Sequence, residues 1–224
     1  TFEEALDTLV SKLEKEPTEF VVIVMRHEDT HESQAEKAAW APMMKDLLNN
    51  YKHRDRLIDF RPGLTAGDMR GRILILSRDK YGDTPVGAYI DGWAHEADFA
   101  SQGKAVISGR GRAALHVQDF YDTYNALDTK FESIVKVIDY SQSPESAGKW
   151  IINHASGYYS PSTVTVDAYR ANAAMLNGKV ARYLGEGRGR AGIIMMDFAG
   201  ADISGDSRVD GQVLIDAIIE RNFR

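Results

Sequence analysis

Two arginines, two aspartates and a tyrosine stand just past the ends of apolar runs in this chain. Arg26 follows Phe20–Met25, Arg78 follows Arg72–Ser77, Asp119 and Tyr121 follow Ala113–Gln118, and Asp197 follows Ala191–Met196. A further run, Lys149–His154, closes on Asn153 and His154. A guanidinium presents a fork of donors that clamps an oxyanion, and an ionised carboxylate accepts from hydroxyls. Groups of these two kinds suit a small ligand carrying both hydroxyls and phosphate. One charge at a strand end is satisfied by a salt bridge to a neighbouring loop. Charges after four of five runs point to a ligand.

The six histidines are less informative. His27 and His154 sit at strand ends, where a general base can stand, but each is read as structural or as part of a ligand rim. His31, His53, His95 and His116 are read as lying on helices, loops or a strand. His27 and His31 are spaced as one His-x-x-x-His pair, but with no cysteine in the chain the residues are read as holding neither a zinc site nor a thiolate nucleophile. Nor do the carboxylates cluster as a calcium cage would require.

The elements that must carry these groups alternate between strand and helix. Thr1 and Glu4 have the spacing of a capping box, and Leu6, Leu9, Val10 and Leu13 form the apolar stripe of a helix that Pro17 stops. Phe20–Met25 reads as a strand buried on both faces. A helix is expected over Ala35–Tyr51, a short turn at Thr65–Met69, a strand over Arg72–Ser77, and a long polar connection from Asp79 to about Gly111. Then come a strand over Ala113–Gln118, a helix over Asp122–Val137, a strand over Lys149–His154 and a helix over Val166–Leu184. A strand over Ala191–Met196 and a helix over Arg208–Arg221 complete the chain. Strands joined by crossovers imply a parallel sheet with helices outside it, whose chemistry lies at the carboxyl ends of the strands. The reading is one domain, residues 1–224.

Composition closes off other classes. The chain has 224 residues, 43% of them apolar, and a formal net charge of −6, which argues against nucleic acid as a partner because phosphate backbones need clustered Lys and Arg. Arg188-Gly189-Arg190 is too short a patch to reverse that. No stretch approaches the roughly 18 apolar residues of a membrane-spanning helix. No signal peptide is visible, but the first residues read as a helix in mid-domain, so this says nothing about export.

The order of segments resembles the bacterial phosphatidylinositol-specific phospholipases C. The resemblance is carried by Thr-Phe-Glu-Glu-Ala-Leu with Glu16-Pro-Thr-Glu-Phe-Val-Val-Ile-Val-Met-Arg26, by Arg70-Gly-Arg-Ile-Leu-Ile-Leu-Ser-Arg78 and by Val117-Gln-Asp-Phe-Tyr121. Leu176-Asn-Gly-Lys-Val-Ala-Arg-Tyr-Leu184 and Gly192-Ile-Ile-Met-Met-Asp-Phe198 complete it. The resemblance implies an irregular TIM-type barrel, α/β in class and here lacking its first strands. It implies inositol-site roles for Arg26 and Arg78, a ring-hydroxyl acceptor in Asp119, a ring-packing surface in Tyr121, and in Asp197 the carboxylate that orients a general-base histidine. Trp93 lies near an aromatic loop residue at the family's barrel mouth.

The family's two catalytic histidines belong to a stretch that would lie upstream of Thr1, so this chain is expected to be inactive alone and to leave sheet edges open. The implied reaction is attack of the inositol 2-hydroxyl on the adjacent phosphorus, giving inositol 1,2-cyclic phosphate and diacylglycerol, with no metal or other cofactor. The implied partner is a phosphatidylinositol-type lipid at a membrane surface, met by a secreted or periplasmic monomer. Two alternatives stand beside it: a non-catalytic inositol-phosphate-binding member of the superfamily, and a metal-dependent glycerophosphodiester phosphodiesterase.

Overall fold

The computed structural model describes residues 1–161, 165–201, 208–221 and 223. Its elements are, in chain order, α1 (Phe2–Lys15), β1 (Val21–Met25), α2 (Gln34–Asn50), β2 (Leu57–Ile58), α3 (Ala66–Met69), β3 (Ile73–Ser77), β4 (Ala88–Asp91), α4 (Phe99–Gln102) and β5 (Ala105–Gly109). They continue with β6 (Gly111–Gln118), α5 (Leu127–Gln142), β7 (Trp150–His154), α6 (Val166–Glu186), β8 (Ile193–Met195) and α7 (Gly211–Arg221). The fold class is α/β. The chain forms two compact units: Thr1–Gly92 with Val106–Ala113, and Trp93–Ala105 with Ala114–Arg224.

In the first unit, the Thr1–Glu4 capping box opens α1 as its spacing predicts. β1 runs parallel to β3 in the register Val21↔Ile73 to Met25↔Ser77. β3 also pairs with β2 and with β4 in parallel. Alternation along β3 sends Ile73 and Ile75 into a core with Leu6, Val10 and Leu13 of α1 and Met44 and Leu48 of α2. Leu74 and Leu76 point to the opposite face and are also fully buried, the two-sided burial of a parallel α/β sheet. β1 differs from the expectation of a doubly buried strand: all five of its residues are only half-buried.

The stretch read as a long polar connection holds β4, α4 and β5. β4 pairs antiparallel with β5 through Ile90↔Ile107, so the sheet is not uniformly parallel. These strands span four and five residues, and glycine and aspartate border their apolar positions too closely for a run to register.

In the second unit β6, β7 and β8 are parallel, with Leu115↔Trp150 and Ile152↔Ile193 in register. Ile134 and Ile138 of α5, Leu176, Val180 and Leu184 of α6 and Leu214 of α7 cover one face of this sheet. Helix α5 begins five residues later than expected because Asp122–Ala126 forms a turn, held where Thr123 N–H donates to the Tyr158 carbonyl at 2.9 Å. Entry into β8 depends on Gly192: its φ is +75°, and a Cβ there would lie 2.7 Å from Ile151 Cγ2.

Candidate functional site

The first unit carries Arg26 and Arg78. Arg78 N–H donates to the Met25 carbonyl at 2.8 Å, extending the β1–β3 ladder by one bond, so the two arginines leave adjacent strands side by side. The Arg26 guanidinium lies 3.3 Å from Glu28 Oε1 and keeps half of its surface open. Arg78 is half-buried. His27 has a structural setting. Its N–H donates to Asp79 Oδ2 at 2.6 Å, its ring stacks on Trp40 at 4.4 Å, and its Nε2 lies 3.0 Å from Glu32 Oε1. These contacts fasten the connection from β1 to α2.

The second unit brings Asp119, Tyr121 and Asp197 to the carboxyl ends of β6 and β8, with Trp93, His95 and His154 around the first of them. Asp119 is buried, 8% exposed. Trp93 Nε1–H donates to its Oδ2 at 2.8 Å. His95 Nδ1 approaches the same oxygen at 2.9 Å, and His154 Nδ1 lies 3.4 Å from Oδ1. A carboxylate carries about four lone-pair sites, so Oδ1 retains capacity for a hydroxyl donor. Tyr121 is 43% exposed. Its ring meets the His95 ring edge-on at 5.1 Å and lies 5.6 Å from that of Tyr158. An open aromatic face beside a buried acceptor is a fitting surface for a hydroxylated ring.

Asp197 accepts from Gly157 N–H at 3.2 Å. Burial raises its pKa above the usual carboxylate value, while the Gly157 hydrogen bond and the Lys130 charge oppose that rise. Lys130 is fully buried on α5. Its Nζ donates to Gln118 Oε1 at 3.2 Å and to the Phe120 carbonyl at 2.5 Å. Burial lowers its pKa to about 7, against the pull of Asp119 and Asp197. Gln118 Nε2 donates to Asn153 Oδ1 at 2.9 Å and to the His154 carbonyl at 2.8 Å, and Asn153 Nδ2 donates to the Ile134 carbonyl at 2.9 Å. Amide side chains thus lock the ends of β6 and β7 to each other and to α5.

Sequence reasoning missed His95 and Lys130. His95 stands 24 positions before Asp119, and only the course of the chain through β5 and β6 brings it back. Lys130 falls on a helix at a position of no distinguishing type. Trp93, read as lying near a barrel mouth, proves to be tied directly to Asp119. Among the described residues no group of three or more His, Cys, Asp or Glu is placed to hold a metal ion, and no helix is long and apolar enough to cross a membrane.

No sequence-family model matches the chain, and no curated protein matches it. Solved structures of the phosphatidylinositol-specific phospholipase C from Staphylococcus aureus do. A single-site mutant aligns with a TM-score of 0.65 at 19% identity, covering 95% of this chain and 68% of that one. A structure from a study of the enzyme's membrane binding aligns with a TM-score of 0.65 at 18% identity, covering 95% and 69%. A double mutant gives 0.64 at 17%, covering 96% and 69%. Over nearly its whole length this chain has the fold of that phospholipase C, an α/β fold of the incomplete TIM-barrel type.

Proposed function

We propose that this chain forms the inositol-holding part of a phosphodiesterase that cleaves phosphatidylinositol-type lipids by intramolecular attack of the inositol 2-hydroxyl. The observation that carries the reading is the pairing of the buried, thrice-contacted Asp119 carboxylate with the open Tyr121 face, in a chain with this fold. In the reading, Tyr121 packs against the inositol ring, Asp119 Oδ1 accepts from a ring hydroxyl, and Arg26 and Arg78 keep the inositol-site roles that the resemblance implies. Holding the 2-hydroxyl in line with the leaving oxygen supplies much of the rate enhancement, because orientation converts attack into a unimolecular step. Asp197 holds the tautomer of the histidine that removes the 2-hydroxyl proton and stabilises it once charged, as the carboxylate does in a Ser-His-Asp arrangement. A second histidine protonates the departing diacylglycerol oxygen. The reaction needs no metal. The protein acts as a secreted or periplasmic monomer that meets its lipid peripherally.

Two measurements test this. Titration calorimetry with myo-inositol should show binding that weakens about tenfold in Asp119→Asn, the size of one hydrogen bond to a charged group, and comparably in Tyr121→Ala. Assayed on the protein as its own cell makes it, phosphorus NMR should show inositol 1,2-cyclic phosphate appearing from phosphatidylinositol vesicles in excess chelator. Binding without cleavage selects the non-catalytic alternative. Cleavage abolished by chelator selects the metal-dependent one.

A further inference from the structure

Lys130 has no part in the roles assigned so far, yet it is fastened to the residues on either side of Asp119. A lysine with no exposed surface has given up the hydration of its ammonium, which costs several kcal/mol unless hydrogen bonds and opposite charges offset it. Its two acceptors, Gln118 Oε1 and the Phe120 carbonyl, flank Asp119 in sequence. Phe120 N–H returns to Gln118 Oε1 at 2.8 Å. The ammonium therefore closes a tight ring of contacts around the exit of β6, and the direction of Asp119 follows from that ring. The charged groups it senses come from two strand ends, Asp119 after β6 and Asp197 after β8. The titratable groups around Asp119 are His154 at the end of β7, His95, and Tyr121 beyond His95.

We propose that Lys130 is a positioning residue, the shared buried counter-charge of Asp119 and Asp197 that aims the first at its ligand and keeps the second ionised. What the two aspartates then do rests on the phosphodiester reading above; the charge coupling does not. An Asp197 that took up a proton would lose the acceptor that an imidazole N–H needs, and burial alone drives it that way. The ammonium of Lys130 supplies the opposing charge.

The test is a carbon-13 carboxyl NMR titration of the full chain, with the Asp197 resonance assigned by its loss in Asp197→Asn. Lys130→Met keeps the side chain's length and removes the charge. In it the Asp197 midpoint should move to higher pH, and calorimetric affinity for myo-inositol should fall about tenfold. Lys130→Arg, which restores the charge, should return the Asp197 midpoint toward that of the unmutated chain. A residue with a purely packing role would leave that midpoint unmoved, so an unchanged Asp197 titration in folded Lys130→Met overturns the proposal. Absence of myo-inositol binding to the unmutated chain counts against the phosphodiester reading, and the Asp197 midpoint then decides on Lys130 alone.

Discussion

Within the second unit, two ionisable groups are held at odds with their preferred states. Asp197 is raised by burial and Lys130 lowered by it, and each charge eases the strain on the other. For Lys130 the consequence for stability has a definite sign. In the unfolded chain its amine keeps a proton up to the ordinary lysine value near 10.5, whereas in the folded state it releases that proton at about 7. Between those values the unfolded state binds more protons, so this group makes stability rise with pH across the window, by at most about 1.4 kcal/mol per pH unit. Below about pH 7 both states are protonated and its contribution is flat. Urea unfolding from pH 6 to 10 should therefore show a steeper gain in the unmutated chain than in Lys130→Met, and parallel curves would contradict the burial of the ammonium. At this scale the strand-end positions of Asp119, Tyr121 and Asp197 were legible, because a polar residue closing an apolar run is visible in a string. His95 and Lys130 were not visible. A histidine tied to a carboxylate across a hairpin, and a lysine turned into a helix–strand interface, leave no local pattern.

Among the elements, β3 is the best determined. It is buried on both faces and parallel to its neighbours, and the register of β1 and β4 is read against it. Its carbonyls also limit what may approach. Gly87, just before β4, has φ +85°, and a Cβ there would lie 2.0 Å from the Ile75 carbonyl oxygen. Neither backbone can retreat without breaking the β3–β4 pairing. Gly87→Ala should cost at least about 3 kcal/mol, the sum of a left-handed backbone penalty and severe overpacking, read as a drop in urea midpoint with the m-value unchanged. A loss below about 1 kcal/mol would show that the approach of β4 to β3 is looser than the register implies. The strands β1, β3, β6, β7 and β8 were legible to within two residues, since each is a continuous apolar run with a polar stop. β4 and β5 were not. Each is short, and their pairing depends on an antiparallel return that no single-strand pattern encodes.

For the molecule as a whole, the two strands that end the sheet decide how it meets other chains. β1 pairs with β3, β8 pairs with β7, and among the described residues neither has a ladder on its other side. Both are half-buried throughout, where β3 is sealed. Alternation along β1 places Val21, Ile23 and Met25 against the helices α1 and α2, leaving Val22 and Val24 on the face they share with Leu74 and Leu76. A β-branched edge of this kind is a template for pairing with another chain. Purified by itself, the 224-residue chain should self-associate at micromolar concentration and leave phosphatidylinositol vesicles uncleaved. A lysine on an edge strand opposes such pairing, and its stem can lie along the apolar face while its charge reaches water. Val22→Lys should accordingly lower the mass seen by light scattering toward that of a monomer. Because the helix-facing residues of β1 are untouched, its far-ultraviolet circular dichroism should match that of the unmutated chain. A chain that is monomeric without the substitution would mean that its edges are protected by some other means, and vesicle cleavage by it would place the proton-transferring groups within these residues, with His95 and His154 beside Asp119 the first to test.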